Sequence, residues 1–225
     1  MIKRVIPMVL LALATTGLAQ AGTVSYRAVA AETDTDWQET LSVAKFDASL
    51  GTLTQVVFRY GGGLWSDFVV ENRSRSSGTT ITADLLGQIV FGLPIGGMVD
   101  LTLRNAFSRT LGAYDGVLDF GGASGYSFAP QTTVGEDMKA FTSGLEAFVG
   151  SGTIDIAATA TGFVEYFGGG NLIAGAQTRA SAWVEVVYEY AQAERQQVPE
   201  PASVLLLGAG LLGLGWGGRR RPART

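Results

Sequence analysis

The chain has 225 residues, 20 acidic and 16 basic, a formal net charge of −4, and neither histidine nor cysteine. The missing cysteine removes any disulfide framework, thiol nucleophile, thiolate metal site or lipid-modified cysteine; the missing histidine removes the usual general base, the Ser/His/Asp arrangement and nearly all zinc sites. Residues 22–198 hold 19 acidic and 10 basic side chains, a formal −9, with no basic run beyond Arg73-Ser-Arg75, which fits neither nucleic acid nor anionic lipid.

Residues 1–21 read as a secretory signal peptide. Lys3 and Arg4 precede an apolar run through Ala14, and Ala19-Gln20-Ala21 supplies the small-x-small cleavage site. The expected mature chain starts at Gly22 and would use signal peptidase and the Sec machinery. Residues 22–190 are expected to form one domain, long enough for a sizeable core. Within it, strand candidates are Val24–Ala30, Glu39–Phe46, Leu53–Tyr60, Phe68–Glu71 and Ile89–Leu93. Turn signals separate them at Gly61–Gly63, Ser74–Gly78, Gly96-Gly97, Gly121-Gly122 and Gly168–Gly170.

Three later segments alternate with period two. Val99, Leu101, Leu103 and Phe107 oppose Asp100, Thr102, Arg104 and Ser108, with Asn105 the one polar residue on the apolar side. Ile154, Ile156, Ala158, Ala160, Val164 and Tyr166 share a face, as do Val184, Val186, Tyr188 and Tyr190. Strands with one wet face belong to antiparallel sheets, and two such layers bury each other's apolar sides. The expected fold is therefore all-β, an antiparallel β-sandwich of jelly-roll type. Only Val134–Val149, with Met138, Phe141, Leu145 and Phe148 at spacings of three and four, suggests a helix.

Candidate chemistry is sparse. Glycosidase action would need two carboxylates facing each other across a sugar, and the outward row Asp155, Glu165, Glu185 and Glu189 contains candidates, though acidic residues on a strand's wet face are normally just solvated. Asp34 and Asp36, with Glu32, would offer oxygen ligands to a structural calcium but lack the spacing of a calcium loop. No other cofactor is expected. Trp37, Trp65 and Trp183 would stack on sugar rings if exposed, or pack in the core if not. Asn72-Arg-Ser74 fits a glycosylation triplet.

Residues 191–198 form a polar linker ahead of Pro199-Glu200-Pro201. The uncharged segment 202–218 follows, then Arg219, Arg220 and Arg221. As a helix, Ala202 to Trp216 would rise roughly 22 Å against a hydrocarbon core of about 30 Å, a short transmembrane segment. The arginines would stop it on the cytoplasmic side and leave residues 22–198 outside, the topology the signal peptide also requires.

Tripeptide, oily stretch and terminal arginines together resemble the PEP-CTERM sorting signal, here residues 199–225. The resemblance implies a Gram-negative host that makes extracellular polysaccharide, and an exosortase-type membrane protease that reads the tail and cleaves near Pro199, Glu200 and Pro201. It also implies an inner-membrane precursor destined for the cell surface or extracellular matrix. The domain, through Trp37 to Gly62, is similar to the choice-of-anchor E family of exported β-rich domains, which supplies no catalytic residues. The expected protein is a non-enzymatic surface or matrix component associated with exopolysaccharide. Two alternatives stand beside it: a carbohydrate-binding module for the cell's own polysaccharide, and a glycan hydrolase or lyase using surface carboxylates.

Overall fold

A computed structural model describes residues 21–169 and 171–193. The expected signal peptide up to residue 20, most of the linker and the whole tail lie outside the described residues. Eight strands form: β1 (Ala21–Asp34), β2 (Trp37–Ala44), β3 (Gly51–Asn72), β4 (Thr79–Gly92), β5 (Met98–Leu111), β6 (Gly125–Phe141), β7 (Thr153–Phe167) and β8 (Leu172–Gln192). They make two four-stranded sheets: sheet A in the order β1-β8-β3-β6 and sheet B in the order β2-β7-β4-β5. Every pairing is antiparallel. The fold is an all-β antiparallel sandwich, as the alternation requires.

Only β4 and β5 are joined as a hairpin, at Gly96 and Gly97, whose φ values of +90° and +85° suit glycine. The other six connections all cross from one sheet to the other. The inward faces are those the period-two pattern names: Leu101 and Leu103, Ile154 through Ala160 at even positions, and Val184, Val186 and Tyr188 are all buried. They interlock with Phe58, Leu64, Ile89 and Phe91 in one core between the sheets. Burying such side chains is the main favourable term for a domain without cross-links.

Two expectations are corrected. Gly61-Gly-Gly63 is not a turn; it lies in the middle of β3, which runs unbroken for 22 residues and joins the two expected strands Leu53–Tyr60 and Phe68–Glu71. The glycines are needed for clearance. A β-carbon on Gly61 would lie 2.5 Å from the Trp183 ring, and one on Gly62 would lie 2.4 Å from the Ser181 carbonyl oxygen and 2.5 Å from Ile89 Cδ1. On Gly63 it would meet the Trp65 ring at 2.7 Å. Glycine inside a strand here marks close approach by neighbours.

The second correction concerns Val134–Val149, which is not a helix. Its first part belongs to β6, and Leu145–Phe148 is one 3₁₀ turn entered through Gly144 at φ +68°. Phe141 and Phe148 do both reach the core, with ring centroids 5.8 Å apart, but from a strand end and a separate turn. Met138 instead stands outward, 65% exposed.

Side-chain hydrogen bonds to backbone carbonyls staple one sheet to the other. Tyr188 Oη donates to Ala44 O at 2.8 Å, Trp37 Nε1 to Ala180 O at 3.2 Å, and Tyr166 Oη to Gly175 O at 2.9 Å. Asn105, the polar residue on the apolar side of β5, donates to Thr132 O of β6 at 3.2 Å. The β1–β2 turn adds a clamp in which Thr35 and Thr178 hydroxyls both donate to Gly162 O, at 3.1 and 2.9 Å. Past that turn β1 and β2 have ended, and each sheet continues as three strands.

The glycine stretch gives a direct test. Gly62→Ala forces a β-carbon against the backbone of β8, so we expect a loss of about 1–3 kcal/mol in denaturant unfolding. Gly169→Ala, whose added carbon meets nothing closer than Thr79 Oγ1 at 3.7 Å, should cost far less. Equal costs would contradict the clearance argument.

Candidate functional site

The three tryptophans do not share one environment. Trp37 lies at the edge of the core, its indole N–H held by Ala180 O. Trp183 stands directly opposite Gly61, and Trp65 lies four residues further along β3, so both project from the outer face of sheet A. Trp183 leans across Gly61, and Trp65 folds back over Gly63. Both rings are half-buried. The Arg27 guanidinium sits 4.1 Å from the centre of the Trp183 ring, a cation–π contact that covers one face of the indole.

Around these rings the face mixes charge and apolar groups. Arg59 pairs with Glu185 at 3.7 Å, and Arg179 bridges Glu32 and Asp67, each at 2.9 Å. Val29, Val134 and Met138 are exposed beside them. Further along the same face Asp67, Val69, Ser127, Gly175 and Gln177 line an open depression of about 330 Å³. The glycines leave the centre of the face without side chains, and the two indoles lie over it.

The acidic residues singled out from the sequence are largely engaged by the protein itself. Asp34 Oδ1 accepts from Gln177 Nε2 at 3.0 Å, Asp36 Oδ1 from the Gly162 amide at 3.1 Å, and Glu32 is held by Arg179. They brace the β1–β2 turn, and no group of three acidic side chains converges among the described residues. Asn72 is fully buried, its amide donating to Ser77 O at 2.9 Å and Gly112 O at 2.7 Å, which leaves no free nitrogen for a glycan.

The outward carboxylates divide between the two outer faces. Asp155 and Glu165 are on β7 of sheet B, while Glu185 and Glu189 are on β8 of sheet A. Along a strand, ten residues separate side chains by about 33 Å and four by about 13 Å. Glycosidase carboxyls stand roughly 5–9.5 Å apart. These four residues do not form such a pair. Asp84, which the sequence reading missed, lies opposite Glu165 across β4 and β7. It is buried at 2% exposure and taken up by Arg104, whose Nε donates to both carboxylate oxygens at 3.0 and 2.9 Å. That charge-assisted pair raises the Arg104 pKa and occupies both oxygens of Asp84. Glu71 is a second missed acid: fully buried, it accepts from Ser124 Oγ through Oε1, while Oε2 has no protein partner.

Residues 197–221 match the PEP-CTERM protein-sorting motif. No curated protein sequence matches the chain. Among solved structures, the chain is similar to one titled "Structure of infectious bursal disease virus Gx strain", at 12% identity and TM-score 0.21, over 84% of this chain and 42% of that one. It is also similar to Desmodium yellow mottle tymovirus, at 6% identity and TM-score 0.19, over 85% of this chain and 99% of that one. The chain thus spans less than half of the first viral chain. It bears a PEP-CTERM sorting signal on an all-β ectodomain, the arrangement of an exported, surface-associated protein. No helix among the described residues is long and apolar enough to cross a membrane, and the segment 202–218 lies outside them.

Burial of the inter-sheet tyrosines makes the domain sensitive to alkali. Tyr166 is pushed up from 10.0 to about 12 by burial, and burial raises Tyr188 further. For Tyr166 the neutral phenol is favoured in the folded state, so its contribution is complete below pH about 10 and disappears as pH rises through about 12. Thermal unfolding followed across that window should show wild type losing stability more steeply than Tyr166→Phe. Parallel profiles would mean that Tyr166 is not coupled to folding.

Proposed function

We propose that this chain is an exported, non-enzymatic protein of the cell surface or extracellular matrix, sorted by an exosortase-type membrane protease and associated with exopolysaccharide. The match of residues 197–221 to the sorting motif carries this reading. Pro199, Glu200 and Pro201 are the recognition tripeptide. Residues 202–218 are the membrane segment, and Arg219 to Arg221 hold it with the ectodomain outside. Residues 1–21 are the signal peptide that delivers the chain to Sec and signal peptidase. The host is Gram-negative, and the tail is an address removed during sorting.

The strand order β1-β8-β3-β6 facing β2-β7-β4-β5, with most connections crossing between sheets, supports a jelly-roll reading of the ectodomain. The similarity of Trp37 to Gly62 to choice-of-anchor E domains supports assignment to that group. A sequence without histidine or cysteine supports a binding or structural role over catalysis.

Mass spectrometry of membrane and released fractions from the native host tests the sorting reading. Wild type should lose its C-terminal segment near Pro199. Pro199→Ala and Glu200→Ala should retain it while leaving the ectodomain folded. Wild-type protein that keeps Thr225 in every fraction would make the tail a permanent anchor.

A second reading is favoured by the pair of indoles on the outer face of sheet A: the ectodomain binds the cell's own polysaccharide, with Trp65 and Trp183 as stacking platforms. Stacking is worth about 0.5–1.5 kcal/mol beyond area burial. Trp65→Ala should therefore weaken retention on that polysaccharide in affinity electrophoresis by roughly tenfold. Unaltered retention in both Trp65→Ala and Trp183→Ala would remove this reading and leave the sorting reading intact.

A further inference from the structure

Among the described residues, the flank left open beyond the Thr35–Asp36 turn carries unpaired backbone on two strands. The Thr35 amide donates to Thr178 O at 3.0 Å, so Thr178 faces the β1 side of β8. By the alternation of an antiparallel strand, Ala176 and Ala174 face the same way. β1 has no residue to meet them, since its last pairing is Asp34 with Arg179. On β7 the Gly162 amide donates to Asp36 Oδ1 and its carbonyl accepts from Thr35 Oγ1, so Val164 and Tyr166 face the same open side. Ala174 to Gln177 are exposed in consequence.

Sheet edges left open in this way invite another strand unless they carry a deterrent. The other edges carry one. β1 has a register shift between Ala30 and Thr33 along with Arg27 and Glu32. β6 has Pro130, a register shift, and the run Glu136, Asp137 and Lys139. β5 presents Asp100, Arg104 and Arg109, and β2 presents Glu39. Leu172-Ile-Ala-Gly-Ala-Gln-Thr178 has no charge, no proline and no register shift.

We propose that this flank is a self-association surface, where β8 pairs antiparallel with β8 of a second copy to join two sheets into one. Unpaired amides and carbonyls in an extended strand are matched by another extended strand. A second copy supplies an identical edge that antiparallel pairing can match to itself, and although a domain of formal charge −9 opposes its own association, this uncharged strand adds nothing to that repulsion. A two-fold axis at Gly175 sets Ala174 of one copy opposite Ala176 of the other, and an isologous contact of this kind closes at the dimer. The proposal concerns the ectodomain alone and is independent of the sorting tail.

Sedimentation of residues 22–198, which hold all eight strands except Ala21 of β1 and all but the first two residues of the compact unit Gln20–Gln192, tests it. From micromolar to near-millimolar concentration, wild type should pass from monomer to dimer. Hydrogen exchange should show the Ala174 and Ala176 amides protected only at the higher concentrations. Ala176→Pro removes an N–H on the open side without taking a bond from β3. Ala174→Lys places a charge on the edge. Each should weaken dimerisation by about tenfold or more while the monomer keeps its β-type circular dichroism. If Ala176→Pro fails to fold, Ala174→Lys decides alone. A wild-type chain that stays monomeric throughout, or folded variants that dimerise as well as wild type, would overturn the proposal.

Discussion

The ectodomain depends on β3 staying extended and paired on both sides through its glycine stretch. β3 bonds β8 along one edge and β6 along the other, so two of the three other strands of sheet A take their register directly from it. At Gly61, Gly62 and Gly63 an ordinary residue would strike the Trp183 ring, the Ser181 carbonyl or the Trp65 ring. Glycine weakens an isolated strand by entropy and lost packing. Here that loss is offset by the two indoles above the strand and by Ile89 of sheet B reaching in below Gly62. One outward surface and one inward contact rest on the same three residues.

The rest of the sandwich is held by burial in the middle and directed hydrogen bonds at the sides. Among the described residues the core between the sheets contains no buried ion pair, and Tyr188, Trp37 and Tyr166 each end on a backbone carbonyl of the opposite sheet. Such bonds do little for net stability, but an unmade one is expensive once its partner is buried. They therefore fix how one sheet sits over the other, a restraint that apolar packing alone supplies poorly. An exported chain without disulfides has particular use for it.

How much of this was legible in the sequence depended on the position of each residue in its sheet. The segments around Leu101, Ile156 and Val186 alternate cleanly because each has one face on the core and the other in water, and their inward residues could be named. β6 could not be read in this way. It is an edge strand whose outward Val134 and Met138 are apolar, so the contrast between faces disappears and Phe141 and Phe148 mimic a helical stripe. Gly61–Gly63 misled for a different reason: glycine required by a neighbour's bulk and glycine required by a turn look alike until the neighbour is known. The same holds for the carboxylates. Asp34 and Asp36 looked like free oxygen ligands because Gln177 and Gly162, which engage them, are more than a hundred residues away. Asp84 and Glu71 were passed over because nothing local marks a buried acid. The tail was the most readable part, being a linear signal that needs no fold.

The pairing of Ala21 with Ala191 brings the start of the domain beside its last strand, at the end from which the linker leaves. β8 is flanked there by β1 and β3, with Gly51 opposite Gln192. A pull on the linker is thus directed along the axis of an interior strand. Its hydrogen bonds on both sides would have to slide past one another together, whereas a hairpin peeled from its end gives way one rung at a time. A domain tethered through such a strand resists drag at the point where it is held, and its mechanical weak points lie elsewhere, in the strands at the borders of each sheet.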